Sequence, residues 1–201
     1  MTISNWEIYG IPDSIRAAKY PMSINTAKED EVLTPGIMRL AKSEIGSGHD
    51  NWLCGVIVQV DIKASNKFWV ECERYHFLDI ISSQSTMHKI TKFEFDKTAY
   101  DEHTDPRTIA IMRNLKWEYE KDPTEENYLR LLYSNPAGML LTARITTKPA
   151  RLRYAVCRSA KSSGFVLEAL YCGSLGLYDT FVQRLPSCSY FHKANNPLFF
   201  R

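Results

Sequence analysis

Three imidazoles, a guanidinium, several hydroxyls and an amide fall in two short stretches of this chain, Ser47-Gly48-His49-Asp50-Asn51 and Arg74-Tyr75-His76 through Ser82-Ser83-Gln84-Ser85-Thr86-Met87-His88. Arginine offers planar bidentate donors to phosphate, and Ser and Gln complete a cradle without adding charge, so the set suits a polyanionic ligand. Each residue also has an ordinary explanation. A His beside a Gly is commonly a loop or cap residue, and a Ser-Ser-Gln-Ser run commonly opens a polar helix. Their order along the chain, at the two ends of an apolar stretch, carries the case for a site.

The elements that must position these residues follow from periodicity. From Trp52 to Ile62, Cys54, Val56, Val58, Val60 and Ile62 alternate with Leu53, Ile57, Gln59 and Asp61, the period-two pattern of a half-buried strand. Ala64-Ser65-Asn66-Lys67 supplies turn chemistry and Phe68-Trp69-Val70-Glu71-Cys72 alternates again, which predicts a hairpin returning the chain to its starting edge. His49 and Arg74 would then share one end, and a helix carrying the Ser/Gln cluster would leave from it. Elsewhere Trp6 to Ile11 reads as a short strand and Pro12 opens a helix. A second helix starts near Thr34-Pro35 and ends before Gly46, and two more start at Asp105-Pro106 and Asp122-Pro123. In the Asp105 helix, Ile109, Met112 and Leu115 form the apolar stripe, with Trp117 nearby. The sum is an α+β protein with no repeats, no P-loop and no Gly-x-Gly-x-x-Gly.

At 201 residues the chain is near the roughly 150 expected per domain and can bury a sizeable core. A net charge of +2 excludes a generic polyanion binder, so nucleic acid is not an expected partner and positive potential must be local. No basic leader precedes an apolar run and no apolar run approaches roughly 18 residues, so no membrane association is expected and a cytoplasmic location is. Five cysteines without a Cys-x-x-Cys pair fit reduced thiols, not a disulfide frame or a zinc site, and no metal is expected. Cys54 and Cys72, on apolar faces, read as core residues and not nucleophiles.

The order of the motifs resembles the flavin-dependent thymidylate synthases, the ThyX family, in a divergent phage-type branch. In that family Gly-His-x-Ser-x-x-Glu-His precedes a strand, and Arg-His-Arg-x-x-Ser-x-Asn-x-x-Ser-x-Arg follows the next. Here Gly48-His49-Asp50-Asn51 matches the first, with Asn51 for Ser and Cys54-Gly55 for Glu-His. Arg74-Tyr75-His76 stands for Arg-His-Arg, Ser83-Gln84-Ser85 for the late part after one inserted residue, and Met87 or His88 falls on the closing Arg. A third block, Glu126 to Pro136 followed by Leu141 to Thr147, looks like the family's Arg-bearing helix, its Leu-Pro break and a second helix. The likeness covers roughly residues 45 to 147, within a core of 1–147, and implies a mixed fold with a central antiparallel sheet flanked by helices.

The resemblance implies reductive methylation of dUMP to dTMP, with methylenetetrahydrofolate giving the carbon, NADPH the electrons, and FAD carrying the redox chemistry. By it, His49, Asn51, Arg74, Tyr75 and His76 hold FAD. Glu71, Arg74, Ser83, Gln84, Ser85 and Arg130 hold the nucleotide, with Ser85 and Arg130 on phosphate, and a homotetramer completes the site. No protein nucleophile is demanded, which agrees with the lack of a Ser-His-Asp or Cys-His arrangement, and no catalytic residue is assigned. Tyr75 for His and His76 for Arg remove a permanent charge, and the loss of charge at the Met87 position removes another phosphate partner. Losing two charge-assisted contacts, at about 1.5–3 kcal/mol each, lowers affinity by roughly two to four orders of magnitude. The alternative is a non-catalytic nucleotide-binding or assembly protein that keeps the fold.

From Lys148 to Arg201 the character changes, with only two acids, Glu168 and Asp179, and three of the five cysteines. Where the family places an Asn and an Arg-rich helix, this chain has Lys148-Pro149, and Pro inside a helix costs roughly 3 kcal/mol. Arg151, Arg153 and Arg158 are all candidates for the ring-polarising Arg. Either the segment diverged with its function, or it is the product of a reading-frame shift near residue 148. The second is favoured because codon degeneracy permits a shifted frame that restores a Tyr, a His-Arg and a Trp at family-like spacing. A segment never selected to pack docks poorly. Limited proteolysis with mass measurement is expected to remove residues 148–201 and leave a fragment ending near 147. A tail as resistant as the core would leave divergence as the explanation.

Overall fold

The computed structural model describes residues 1–44, 46–74, 76 and 78–151 of the chain. These fall into two compact units, one of Met1–Asn5 with Val60–Ile145, the other of Trp6–Gln59 with residues 146–151. Four strands make one antiparallel sheet in the order β1-β2-β4-β3: β1 (Thr2–Tyr9), β2 (Ile57–Ser65), β3 (Asp79–Ser83) and β4 (Leu140–Thr147). The expected α+β class, with a central antiparallel sheet and helices, is the class observed. No helix among the described residues is long and apolar enough to cross a membrane.

In the second unit, β1 ends at Gly10 and the chain enters α1 (Ile11–Ala18), which carries Pro12 in its first turn, as expected. Gly10 has φ +76°, and a Cβ there would lie 2.5 Å from the Gly55 carbonyl oxygen, so only glycine fits. Buried Ile11 and Ile15 face the 3-10 turn Asn51–Gly55, which buries Trp52 and Leu53. α2 (Pro35–Ala41) starts where Thr34 predicts, the Thr34 hydroxyl accepting the Ile37 N–H at 3.3 Å.

The first unit corrects the predicted hairpin. β2 has the expected alternation, with Val58, Val60, Ile62 and Ala64 buried, but it begins at Ile57 because Asn51–Gly55 is a 3-10 turn. The chain does not turn back into a second strand. Ser65 caps α3 (Asn66–Cys72) by accepting the Phe68 N–H at 3.3 Å. The N–H groups of Asn66 and Lys67, free of intrahelical partners in a first turn, donate instead to Met139 O and Ala137 O at 2.8 and 2.9 Å. Phe68, Trp69 and Cys72 are buried at helical spacing, because so short an apolar run fits either period and the helical one is adopted here. Cys72 is a core residue as expected, though on a helix, while Cys54 is exposed.

Leu140–Thr147 is likewise a strand where the resemblance implied a helix. Leu141, Ala143, Ile145 and Thr147 are buried in strict alternation, and three threonines and an isoleucine suit a pleated surface. The 16-residue α5 (Pro106–Lys121) is capped by Asp105 and buries Ile109, Met112 and Leu115 as expected. Trp117 points out, under the Lys121 ammonium at 3.6 Å. Asp122 is the C-cap of α5, and Thr124, not Asp122, caps α6 (Glu125–Tyr133) through the Asn127 N–H at 3.4 Å.

Across β1, β2 and β4, Asp61 accepts from the Asn5 carboxamide at 2.6 Å and from Arg144 at 3.2 Å, and Arg144 also donates to Asn5 O at 2.6 Å. The Asn5 hydrogen bond, with Arg144 adding to it against the opposing effect of burial, holds the Asp61 carboxyl below the usual carboxylate range. A carboxyl depressed on folding stabilises above its unfolded pKa, near 3.9 for Asp, and that stability fades as pH falls through the folded value. Asp61→Asn is expected to lower the melting temperature at pH 7 and to flatten its decline below about pH 4. An unchanged acid limb would remove this assignment.

Candidate functional site

In the first unit two segments that carry residues flagged by sequence are each hydrogen-bonded to one of two consecutive residues of β4. The Trp69 indole, on α3, donates to Leu141 O at 3.0 Å in a buried hydrogen bond. Gln84, just past β3, donates its N–H to Thr142 O at 2.9 Å and accepts the Thr142 N–H on its side-chain oxygen at 2.8 Å. The helix bearing Glu71, with Arg74 just past its end, and the segment Ser83-Gln84-Ser85 are thereby tied to consecutive residues of one strand. Gln84 is positioned by that strand and spends its acceptor on it.

Glu71 faces two cations, Lys67 at 2.9 Å and Arg74 at 3.3 Å, one turn away on either side. The Lys67 hydrogen bond, then the Arg74 charge, hold its carboxyl below the usual range against some burial. Arg74 itself is largely exposed, as is His76, while Tyr75 lies outside the described residues. Between them the exposed groups offer a guanidinium, an imidazole and the hydroxyl of Ser83. Each is a group of a type that can donate a hydrogen bond to an anion.

Ser85 caps α4 (Thr86–Lys89), accepting the His88 N–H at 3.3 Å, and its hydroxyl lies 2.8 Å from His88 Nδ1. A serine–histidine pair thus exists that the sequence reading did not find. Its geometry is that of a cap, with the hydroxyl tied to both the main chain and the ring of one residue. α4 is held in turn by the Tyr128 hydroxyl of α6, which donates to Met87 O, and the Tyr128 ring packs on Tyr119 of α5 with centroids 6.1 Å apart. Neither Trp69 nor Tyr128 was singled out from sequence. An aromatic polar tip signals only that a partner exists, not which carbonyl supplies it.

Arg130 lies on α6 two residues after Tyr128, so it points elsewhere on the helix. It meets Glu118 of α5 at 2.9 Å and borders an open groove with Glu125, Glu126, Leu129, Tyr133 and Ser134. The structure gives Arg130 a carboxylate partner. In the second unit, His49 and Asn51 are both exposed beside Gly48, whose φ is +79°. The hairpin expected to bring His49 and Arg74 to one end is absent, because α3 stands in place of its second strand. Cys72, buried, has its thiol pushed up to about 11 and is no nucleophile at neutral pH. Among the described residues no group of three or more His, Cys, Asp or Glu could hold a metal. Of the candidate ring-polarising arginines, Arg153 and Arg158 lie outside the described residues, as do the cysteines at 157, 172 and 188.

Trp69→Phe removes the indole donor and part of a buried ring, leaving a buried carbonyl short of a partner beside a small cavity. It is expected to cost about 1–3 kcal/mol in chemical denaturation. A loss below about 0.5 kcal/mol would show that the indole does not anchor α3.

No family model matches the sequence, and no curated protein matches it. Solved structures do match. The flavin-dependent thymidylate synthase ThyX of Helicobacter pylori, complexed with FAD and dUMP, superposes with a TM-score of 0.62 at 13% identity, over 89% of this chain and 93% of that one. A second structure of that enzyme with the same ligands gives 0.62 at 14%, over 89% and 92%. A UMP/dUMP methylase, PolB, from Streptomyces cacaoi, bound with 5-Br dUMP, gives 0.56 at 10% identity, over 90% and 91%. At these identities the likeness is one of fold, and this chain has the fold of the flavin-dependent thymidylate synthases.

Proposed function

We propose that this chain is a flavin-dependent, thymidylate synthase-like protein that takes dUMP to dTMP with methylenetetrahydrofolate and NADPH. One observation supports this above the others: the helix carrying Glu71, through Trp69, and the segment Ser83-Gln84-Ser85, through Gln84, are hydrogen-bonded to the consecutive residues Leu141 and Thr142 in a chain with the ThyX fold. Its similarity to structures solved with FAD and dUMP, or with a dUMP analogue, agrees with it.

The donor set fits the groups the reaction requires. Arg74 is exposed and carries a bidentate fork suited to a diphosphate, and His76 is exposed beside it in sequence. These two, with His49, Asn51 and Tyr75 by resemblance, would hold FAD. When bound, FAD would supply the reducing equivalents that pass from NADPH to the transferred carbon. Ser83 and Ser85 would take the nucleotide, Ser85 turning its hydroxyl from the His88 ring to a phosphate oxygen. Glu71 would hold Arg74 in place, its own charge balanced by Lys67. Arg130 would reach phosphate only by giving up Glu118, and completion of the site would fall to a homotetramer.

The Arg130–Glu118 pair favours a second reading, since a guanidinium already matched by a carboxylate adds little to phosphate binding. On it the chain is a nucleotide-binding or assembly protein without turnover. Growth of a strain lacking thymidylate synthase, rescued by this gene, separates the two. A rise in melting temperature with dUMP but no rescue would favour the second.

Arg74→Ala is expected to lower the flavin-to-protein ratio of purified protein severalfold while leaving stability nearly unchanged, because Arg74 is exposed. Arg144→Ala is expected to do the reverse, because Arg144 braces β4 against Asp61 and Asn5. Equal flavin ratios in the two variants would count against Arg74 as a flavin residue.

A further inference from the structure

Gln84 makes two hydrogen bonds to a single residue. Its main-chain N–H donates to Thr142 O at 2.9 Å, and Thr142 N–H donates to its side-chain Oε1 at 2.8 Å. In a regular antiparallel ladder both bonds of such a pair are main chain to main chain. Here β3 has ended at Ser83, and the carboxamide stands in for the missing carbonyl. Because only its oxygen can accept, the orientation of the amide is fixed. The main chain is released one residue early, and Ser85 follows in extended backbone (φ −104°, ψ 119°) with its hydroxyl at the start of α4.

We infer that Gln84 is a positioning residue of the nucleotide site. It acts on the phosphate of dUMP through Ser85, whose place it sets by the bond to Thr142, and does not itself touch the nucleotide. The inference rests on the proposed function above and departs from the resemblance, which put Gln84 among the substrate contacts. The carboxamide acceptor is already committed, and a side chain anchored by a strand amide holds its neighbour far more closely than a free loop would. Tyr128 holds the other side of the same short helix through Met87 O, so Ser85 is fixed from both directions.

The test is a double-mutant cycle with the full chain, read by calorimetric titration with dUMP and with deoxyuridine, which lacks the phosphate. Gln84→Ala and Ser85→Ala are each expected to weaken dUMP about tenfold, and the double variant to be no weaker than Ser85→Ala within about twofold. Deoxyuridine binding is expected to be unchanged throughout. In the ligand-free protein, the Thr142 amide exchanges faster in Gln84→Ala and stays protected in Gln84→Glu, whose carboxylate still accepts. If Gln84→Ala does not fold, Gln84→Asn, which keeps the amide but falls short of Thr142, takes its place. Additive losses in the double variant, or an equal loss with deoxyuridine, would make Gln84 a direct contact and overturn the inference. So would unchanged dUMP affinity alongside faster Thr142 exchange. If the wild-type protein binds no dUMP, the proposed function fails with it, a result distinct from a failure confined to Gln84.

Discussion

The main chain of β4 at Leu141 and Thr142 is the constraint on which the first unit depends. A strand inside a sheet must satisfy its N–H and C=O groups on both sides, and an unmet buried group costs about as much as a lost hydrogen bond. β4 lies between β2 and β3, and at these two residues side chains add to what strands supply. The Trp69 indole joins at Leu141 O, and the Gln84 carboxamide closes on Thr142. Both are fixed by the same need to pair backbone groups, and both carry candidate binding residues with them. The arrangement of Glu71, Arg74 and the serines is therefore a by-product of satisfying a strand.

The charges around this strand are placed with economy. Glu71 is flanked by two cations within one helix turn of it, and Asp61 by an amide and a guanidinium across three strands. In each case the carboxylate is stabilised in its ionised form. Arg144 and Arg74 differ in purpose for this reason. The first is partly buried and bound to main chain as well as to Asp61, whereas the second is largely exposed and pairs with Glu71 one turn back.

Caps and buried stripes were legible because their signals are local. Thr34, Asp105, Ile109, Met112 and Leu115 do in the structure what their types and spacing foretell. The helix at Asn66–Cys72 was not legible as one, since the run Phe68–Cys72, alternating Phe, Val, Cys against Trp, Glu, satisfies either period. What decides is a pair of hydrogen bonds from Asn66 and Lys67 to Met139 and Ala137, far along the chain. β4 was missed for a different reason. Its alternation is plain in Leu141, Ala143 and Ile145, and an implied helix was preferred to it. At the candidate site, residue types pointed to Arg74 and the serines, but the anchors Trp69, Tyr128 and Thr142 depend on which carbonyl or amide lies opposite, a matter of three-dimensional register.

The approach of Gly10 to Gly55 has a consequence for how this protein can change. There the junction between β1 and α1 meets the Asn51–Gly55 turn main chain to main chain, with no side chain between. A contact made through side chains can be retuned by trading a larger group for a smaller one opposite, but this one has nothing left to trade. A Cβ at Gly55 would itself come within 2.4 Å of the Ser14 hydroxyl, so the second glycine is confined by α1 as the first is by the turn. The two segments are spaced by the thickness of the peptide backbone, a dimension that does not vary between sequences. Drift elsewhere in α1 can alter what the helix presents, but its first turn stays at one fixed distance from that loop.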